Sequence, residues 1–172
     1  YSVFISAFKR YKRVSIPSIR ESDFKKRILL NSRFEDIIHY WGIFHKGQLI
    51  AYSENYIFDN IEVSYSTIKF HPDYMKLYPS YALVFTMNKY YLRDQKFEYV
   101  NDGFRNILHQ TNIQGFLIDK FNFKKAYTNL YVYNRLYLSI YLKISFPIRN
   151  VLKKINPKLS ALYMMEEIRK KM

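Results

Sequence analysis

Cysteine is absent from the 172 residues, and glycine and proline are scarce, at four and five. The missing thiols exclude a disulfide scaffold, thiolate zinc, iron–sulfur clusters and a cysteine nucleophile. They fit a reducing compartment, and the chain reads as cytoplasmic. So little glycine and proline excludes collagen-like and low-complexity chains. No start methionine and no signal-peptide pattern is present, and Tyr1 reads as an interior residue of a longer chain that lacks an N-terminal strand here. The most apolar window, Leu130 to Ile148, is broken by Arg135 and Lys143, which makes it a poor transmembrane helix.

What is present points to a folded domain. Hydrophobic residues make up 49% of the chain and aromatics 19%, which excludes intrinsic disorder. A chain of this length buries roughly two-thirds of the surface its unfolded form exposes, so it holds a core without staples. Twenty-eight Lys and Arg against 14 Asp and Glu give a net charge of +14. That balance favours anionic partners, although an AT-rich genome would bias composition the same way. The excess sits at the ends. Residues 1–40 carry nine basic and four acidic residues, 134–172 carry nine and two, and 41–133 carry ten and eight.

The pattern changes along the chain. Residues 1–35 read as helical, with Pro17 as a break and Ser22 as cap of a second helix. The run 40–45, the turn Lys46-Gly47-Gln48 and the run 49–56 read as an antiparallel hairpin. Asp59-Asn60 is a second turn, and 61–69 alternates as a half-buried strand, completing a three-strand meander. Pro79 suits the first turn of an almost wholly apolar helix, 80–93. A short strand is expected at 97–100. Thr111-Asn112-Ile113-Gln114 fits a capping box, Asn122 a left-handed helix stop, and 126–133 a further strand.

This order, over residues 41–133, resembles the GNAT acyltransferase fold. The stretch from Asn101-Asp102-Gly103 to Gly115-Phe116-Leu117, followed by Lys120-Phe121-Asn122-Phe123-Lys124-Lys125, is similar to GNAT and Fem-like proteins of bacterial polysaccharide and cell-wall contexts. Asn122 stands where that family usually has glycine. The resemblance implies an α/β (α+β) fold, a central mixed sheet with an antiparallel meander flanked by helices. It implies a GNAT-like domain over 1–133, with 134–172 a basic helical appendage packing on it. It further implies transfer of an acyl or aminoacyl group to an amine of a cell-envelope or polysaccharide precursor. The donor is acyl-CoA or aminoacyl-tRNA. The family's glycine-rich pyrophosphate loop is replaced by Lys69 to Ser80, which has no glycine, so acyl-CoA is the weaker expectation, with Lys69 and Lys76 as the charges that would hold it.

Acyl transfer needs a positioned donor, a base for the amine and an acid for the leaving group. In the implied fold two parallel strands, 61–69 and 97–100, open to receive the donor. Glu62, Tyr65 and His109 are the catalytic candidates, Glu62 or His109 serving as base. His71, Asp102, Arg105 and Asn112 are the substrate-binding candidates, Arg105 offering a planar fork for a carboxylate or phosphate. Each has a plainer reading: a solvated strand carboxylate for Glu62, a turn for Asp102-Gly103, a loop hydrogen bond for His109. The four histidines have no metal-ligand spacing, so no metal is assigned. The basic amphipathic segment 134–172 either packs on the domain or a second copy, or rests on the inner face of a membrane. The competing function is a non-catalytic basic module that binds RNA, an anionic ligand or an anionic membrane.

Overall fold

Two residues with positive φ, Lys46 at 48° and Gly47 at 78°, close the first hairpin between the paired His45 and Gln48. This is the primed two-residue turn whose twist matches the flanking strands. Asp59 and Asn60, at 49° and 56°, reverse the chain a second time, a conformation their short polar side chains tolerate. The result, in a computed structural model, is the meander β1 (Ile38–His45), β2 (Gln48–Phe58) and β3 (Glu62–Phe70). The structure describes residues 1–9, 19–103, 112–127 and 131–171. Among these the protein is mixed α/β, with seven α-helices and one four-stranded mixed sheet in the order β1-β2-β3-β4. It divides into two compact units, residues 1–104 and 105–172, whereas the sequence reading put a boundary at 133/134.

In the first unit, helices α1 (Ser2–Lys9) and α2 (Glu21–Asn31) precede the meander. The expected cap at Ser22 is corrected: the cap is Arg20, two residues earlier, and its side chain bonds Asp23. Glu21 and Asp23 in the first turn complement the positive end of the helix. Strand pairing sorts side chains to two faces. Tyr52 and Glu54 share a face with Tyr40, and Tyr56 with Ser64, while Asn55 lies with His39 and Tyr65 on the other. On the first face Val3, Phe24 and Tyr52 form a buried cluster. On the other, α3 (Pro79–Asn88) contributes Leu83, Val84 and Met87, all fully buried. The helix expected over 80–93 remains α-helical only to Asn88 and widens into a π-turn over Lys89–Asp94, which carries the buried Tyr91. Strand β4 (Tyr99–Asn101) then runs parallel to β3.

Arg27 on α2 reaches through this packing to Glu54, whose side chain is 2% exposed. Its guanidinium donates to both carboxylate oxygens at 3.1 and 3.0 Å, and Tyr56 Oη donates to one of them at 3.0 Å. A carboxylate buried in a sheet requires such partners.

The second unit holds α4 (Ile113–Phe121), α5 (Leu136–Ser145), α6 (Arg149–Ile155) and α7 (Pro157–Lys171). Asn122 ends α4 in the left-handed conformation, φ 57°, as its sequence position requires. The expected cap Thr111 lies outside the described residues. Asn112 occupies the cap position without a side-chain cap bond. The strand expected over 126–133 is corrected: its described residues, 126–127 and 131–133, are irregular, with Tyr127 and Tyr133 about nine-tenths exposed. Alternating apolar residues become a strand only where an edge is there to pair with them. Pro147 bends the path from α5 to α6 through a short 3-10 turn. Glu167 on α7 accepts from Arg149 at 2.7 Å and Lys153 at 2.6 Å, clasping α6 to α7.

Arg27→Ala leaves Glu54 buried without its cation. Since Arg27 itself is 40% exposed, the expected loss is about 2 kcal/mol in urea melts, with Glu54→Gln costing less. Asn122→Gly should be neutral or stabilising by up to about 1 kcal/mol, because glycine takes the left-handed cap freely.

Candidate functional site

Strands β3 and β4 share three residue pairs: Glu62 with Tyr99, Val63 with Val100 and Ser64 with Asn101. Beyond Ser64, β3 runs on to Phe70, and among the described residues no strand accompanies it on that side. The parallel pairing therefore ends after three residues. Asn101 is its last member and organises that end. Its Oδ1 accepts from Ser64 Oγ at 3.0 Å and from the Gly103 N–H at 2.8 Å, and its Nδ2 donates to Glu62. Tyr99 Oη donates to the other Glu62 oxygen at 2.8 Å. Glu62 is thus engaged on both oxygens, as the anchor that holds the start of the pair together. Its carboxylate, accepting that bond, pushes the Tyr99 hydroxyl above its ordinary pKa.

Asp102 follows directly. Burial pushes its carboxyl up from 3.8 to about 6. A carboxylic acid that titrates near neutrality, beside an open strand edge, is equipped to take a proton in water near pH 7.

The other sequence candidates separate by strand geometry. Glu62 and Tyr65 are three residues apart on one strand and face opposite sides of the sheet. Tyr65 is buried, donates to Asn88 Oδ1 at 2.7 Å, and has its hydroxyl pKa pushed far up by burial. His71 lies at the far end of β3, about 30 Å along the strand from Glu62 at roughly 3.3 Å per residue. Its Nδ1 is buried without a hydrogen-bond partner among the described residues, 3.8 Å from Asp73. Lys69 lies with its ammonium 4.6 Å over the Phe8 ring, and burial lowers its pKa. Lys76 is exposed on the 3-10 turn Pro72–Leu77. Glu62 therefore stands at the start of the β3–β4 pair and Asp102 just past its end, so the pairing does not bring the two together; the Tyr65 hydroxyl is turned to Asn88, and Lys69, His71 and Lys76 lie further along the chain. Arg105 and His109 lie outside the described residues, and Asn112 belongs to the second unit.

Sequence reading missed a second polar cluster. Trp41 Nε1–H donates to Tyr91 Oη at 2.8 Å, and Asn55 Nδ2–H does so at 3.3 Å. With both lone pairs taken, the Tyr91 O–H is left to donate to His39 Nδ1, 3.0 Å away. The neutral His39 ring then carries its own proton on Nε2. His39, Trp41 and Tyr90 line an open cleft of about 480 Å³ together with Ser32 and Glu35. It lies at the β1 edge, three strand spacings or about 14 Å from β4, and forms no part of the end of the β3–β4 pair. The alternation of His39 and Trp41 in β1 was the available signal, but Tyr91 is fifty residues further along the chain.

No family model, no curated protein and no solved structure matches the chain. Among the described residues no group of three or more His, Asp or Glu side chains is arranged to hold a metal ion.

Tyr91→Phe should cost about 1–2 kcal/mol in denaturant melts, because it removes the acceptor that Trp41 and the buried Asn55 share.

Proposed function

We propose that the first unit belongs to a GNAT-like N-acyltransferase. It moves an acyl or aminoacyl group to the amine of a cell-envelope or polysaccharide precursor, with Asp102 as the base. One observation supports this reading: a parallel strand pair that ends after three residues, with a half-buried carboxyl just past it whose pKa is pushed up to about 6. The order of elements supports it. Two helices, an antiparallel meander, a helix and a strand parallel to the last of the meander are what the resemblance implies.

The chemistry follows from the parts. The β3 edge beyond Ser64 offers backbone N–H and C=O groups that can hydrogen-bond the aminoacyl group and the terminal ribose of the donor. The amine nitrogen attacks the donor carbonyl carbon, and the new C–N bond forms. The bond to the thiol or ribose oxygen breaks, and the leaving group takes up the proton that Asp102 receives from the amine. Asp102, largely ionised at pH 7, accepts the proton lost by the amine. Burial that raises its pKa also makes it the stronger base.

The donor is better read as aminoacyl-tRNA than as acyl-CoA. A pyrophosphate needs several free N–H groups at a helix N-terminus. At the start of α3, Tyr78 occupies the left-handed cap, Pro79 has no N–H, and the Tyr81 N–H is already bonded to the Tyr78 carbonyl at 3.0 Å. A chain with net charge +14 suits a polyanionic RNA carrier. Such transfer would take place in the cytoplasm, at the inner face of the membrane.

The Asp102 carboxyl has a folded pKa raised above 3.8, so the fold disfavours its charged form. The penalty is absent below about pH 4, grows as pH rises towards 6, and is constant above that. Asp102→Asn should therefore leave melting unchanged at pH 4 and stabilise the protein at pH 8 by up to about 3 kcal/mol. The same variant should abolish transfer from aminoacyl-tRNA to nucleotide-linked amino sugars; retained transfer would remove Asp102 as base. In titration calorimetry acetyl-CoA should bind weakly or undetectably. A low-micromolar dissociation constant would overturn the donor assignment and point to Lys69 and Lys76 as pyrophosphate ligands.

A further inference from the structure

Helices α5 and α6 and the 3-10 turn between them carry a run of apolar residues: Leu136, Ile140 and Ile144 on α5, Ile148 in the turn, and Val151 and Ile155 on α6. Within each helix the spacing of four residues keeps them on one side, as a stripe. All six are exposed, from 49% at Ile140 to 78% at Leu136. The inward residues of the unit are others, Leu142, Ser145 and Tyr163, so the stripe is not used by the unit's own core. Tyr137 and Tyr141, 66% and 41% exposed, border it with an apolar ring and a polar tip.

We propose that this face seats the protein on an anionic lipid bilayer. The charge pattern selects that occupant. From Lys120 to Met165 the sequence contains no Asp or Glu, and it carries nine Lys and Arg over the same span. The first acids beyond, Glu166 and Glu167, are bonded to Arg169 and to Arg149 and Lys153. Lys143 and Lys154 flank the stripe from within its own helices. A second copy of this face would set cations against cations, whereas an anionic leaflet accepts both the stripe and its basic border. No helix among the described residues is long and apolar enough to cross a membrane, so α5 and α6 would lie in the interface plane. Each cation held at such a surface strengthens binding about fivefold, and salt weakens it. This inference is independent of the transfer chemistry: a protein inactive as a transferase would still dock.

The test is flotation of the full chain with vesicles of phosphatidylglycerol and phosphatidylcholine, and with phosphatidylcholine alone. Binding to the anionic vesicles is expected, and much weaker binding to the neutral ones. Ile144→Asn with Ile148→Asn alters only exposed side chains, and circular dichroism should show the fold retained. That variant should bind at least about tenfold more weakly. Lys143→Glu with Lys154→Glu, which leaves the stripe intact, should also weaken binding at low salt. Absent binding to anionic vesicles overturns the proposal. So does binding that the double asparagine variant leaves unchanged, which would mark a general polyanion site. A dimer in sedimentation equilibrium that the same variant dissolves would assign the face to a second copy instead.

Discussion

Three consecutive polar residues, Ser53, Glu54 and Asn55, are buried in the middle of the central strand β2. A polar group buried there must be paired, or the fold loses about what that group's desolvation costs. Strand alternation sends Glu54 to one face and Asn55 to the other, so the requirement acts on both layers at once. On one side it fixes Arg27, and with it α2. On the other it fixes Tyr91, and with it the π-turn after α3. Helix–sheet packing by apolar area alone tolerates sliding, whereas a guanidinium on a carboxylate and a tyrosine on an amide do not. The register shift at Glu54–Asn55, where Ser66 is the extra residue of β3, lies at this same point.

That rigidity matters for the end of the β3–β4 pairing. Strand β4 is three residues long and is held by a few side-chain bonds, chiefly those of Asn101 and Glu62. A strand so short keeps its place only if β3 keeps its own, and β3 is fixed through β2. The end of the pairing is thus set by a short strand against a rigid neighbour. It sets Asp102 beside a strand edge while burying its carboxyl enough to shift it towards neutrality. The acyl-transfer reading asks for those two properties together.

Local signals in the sequence were sufficient for the hairpin at Lys46-Gly47, the Pro79 helix start and the Asn122 stop, because each depends on the φ preferences of one or two residues. The meander was legible from alternation. The strand expected over 126–133 was not, since its pattern is strand-like but nothing pairs with the described part of it. The π-turn after Asn88 left no local mark, because apolar residues continue through it in helical spacing. At the site, Asp102 was legible as a polar residue past a strand, but its burial was not. The reading of Glu62 did not include its partners Tyr99 and Asn101, which lie 37 and 39 residues away and donate to both of its oxygens. Side-chain networks are non-local, and a single sequence does not print them.

The account rests most heavily on the state of one carboxyl group. Carbon-detected NMR titration of Asp102, assigned by comparison with Asp102→Asn, reads it directly in the folded chain. The account predicts a midpoint near 6 that moves when aminoacyl-tRNA is added. A midpoint near 4, indifferent to donor, would show an ordinary solvated turn residue and would contradict the proposed site.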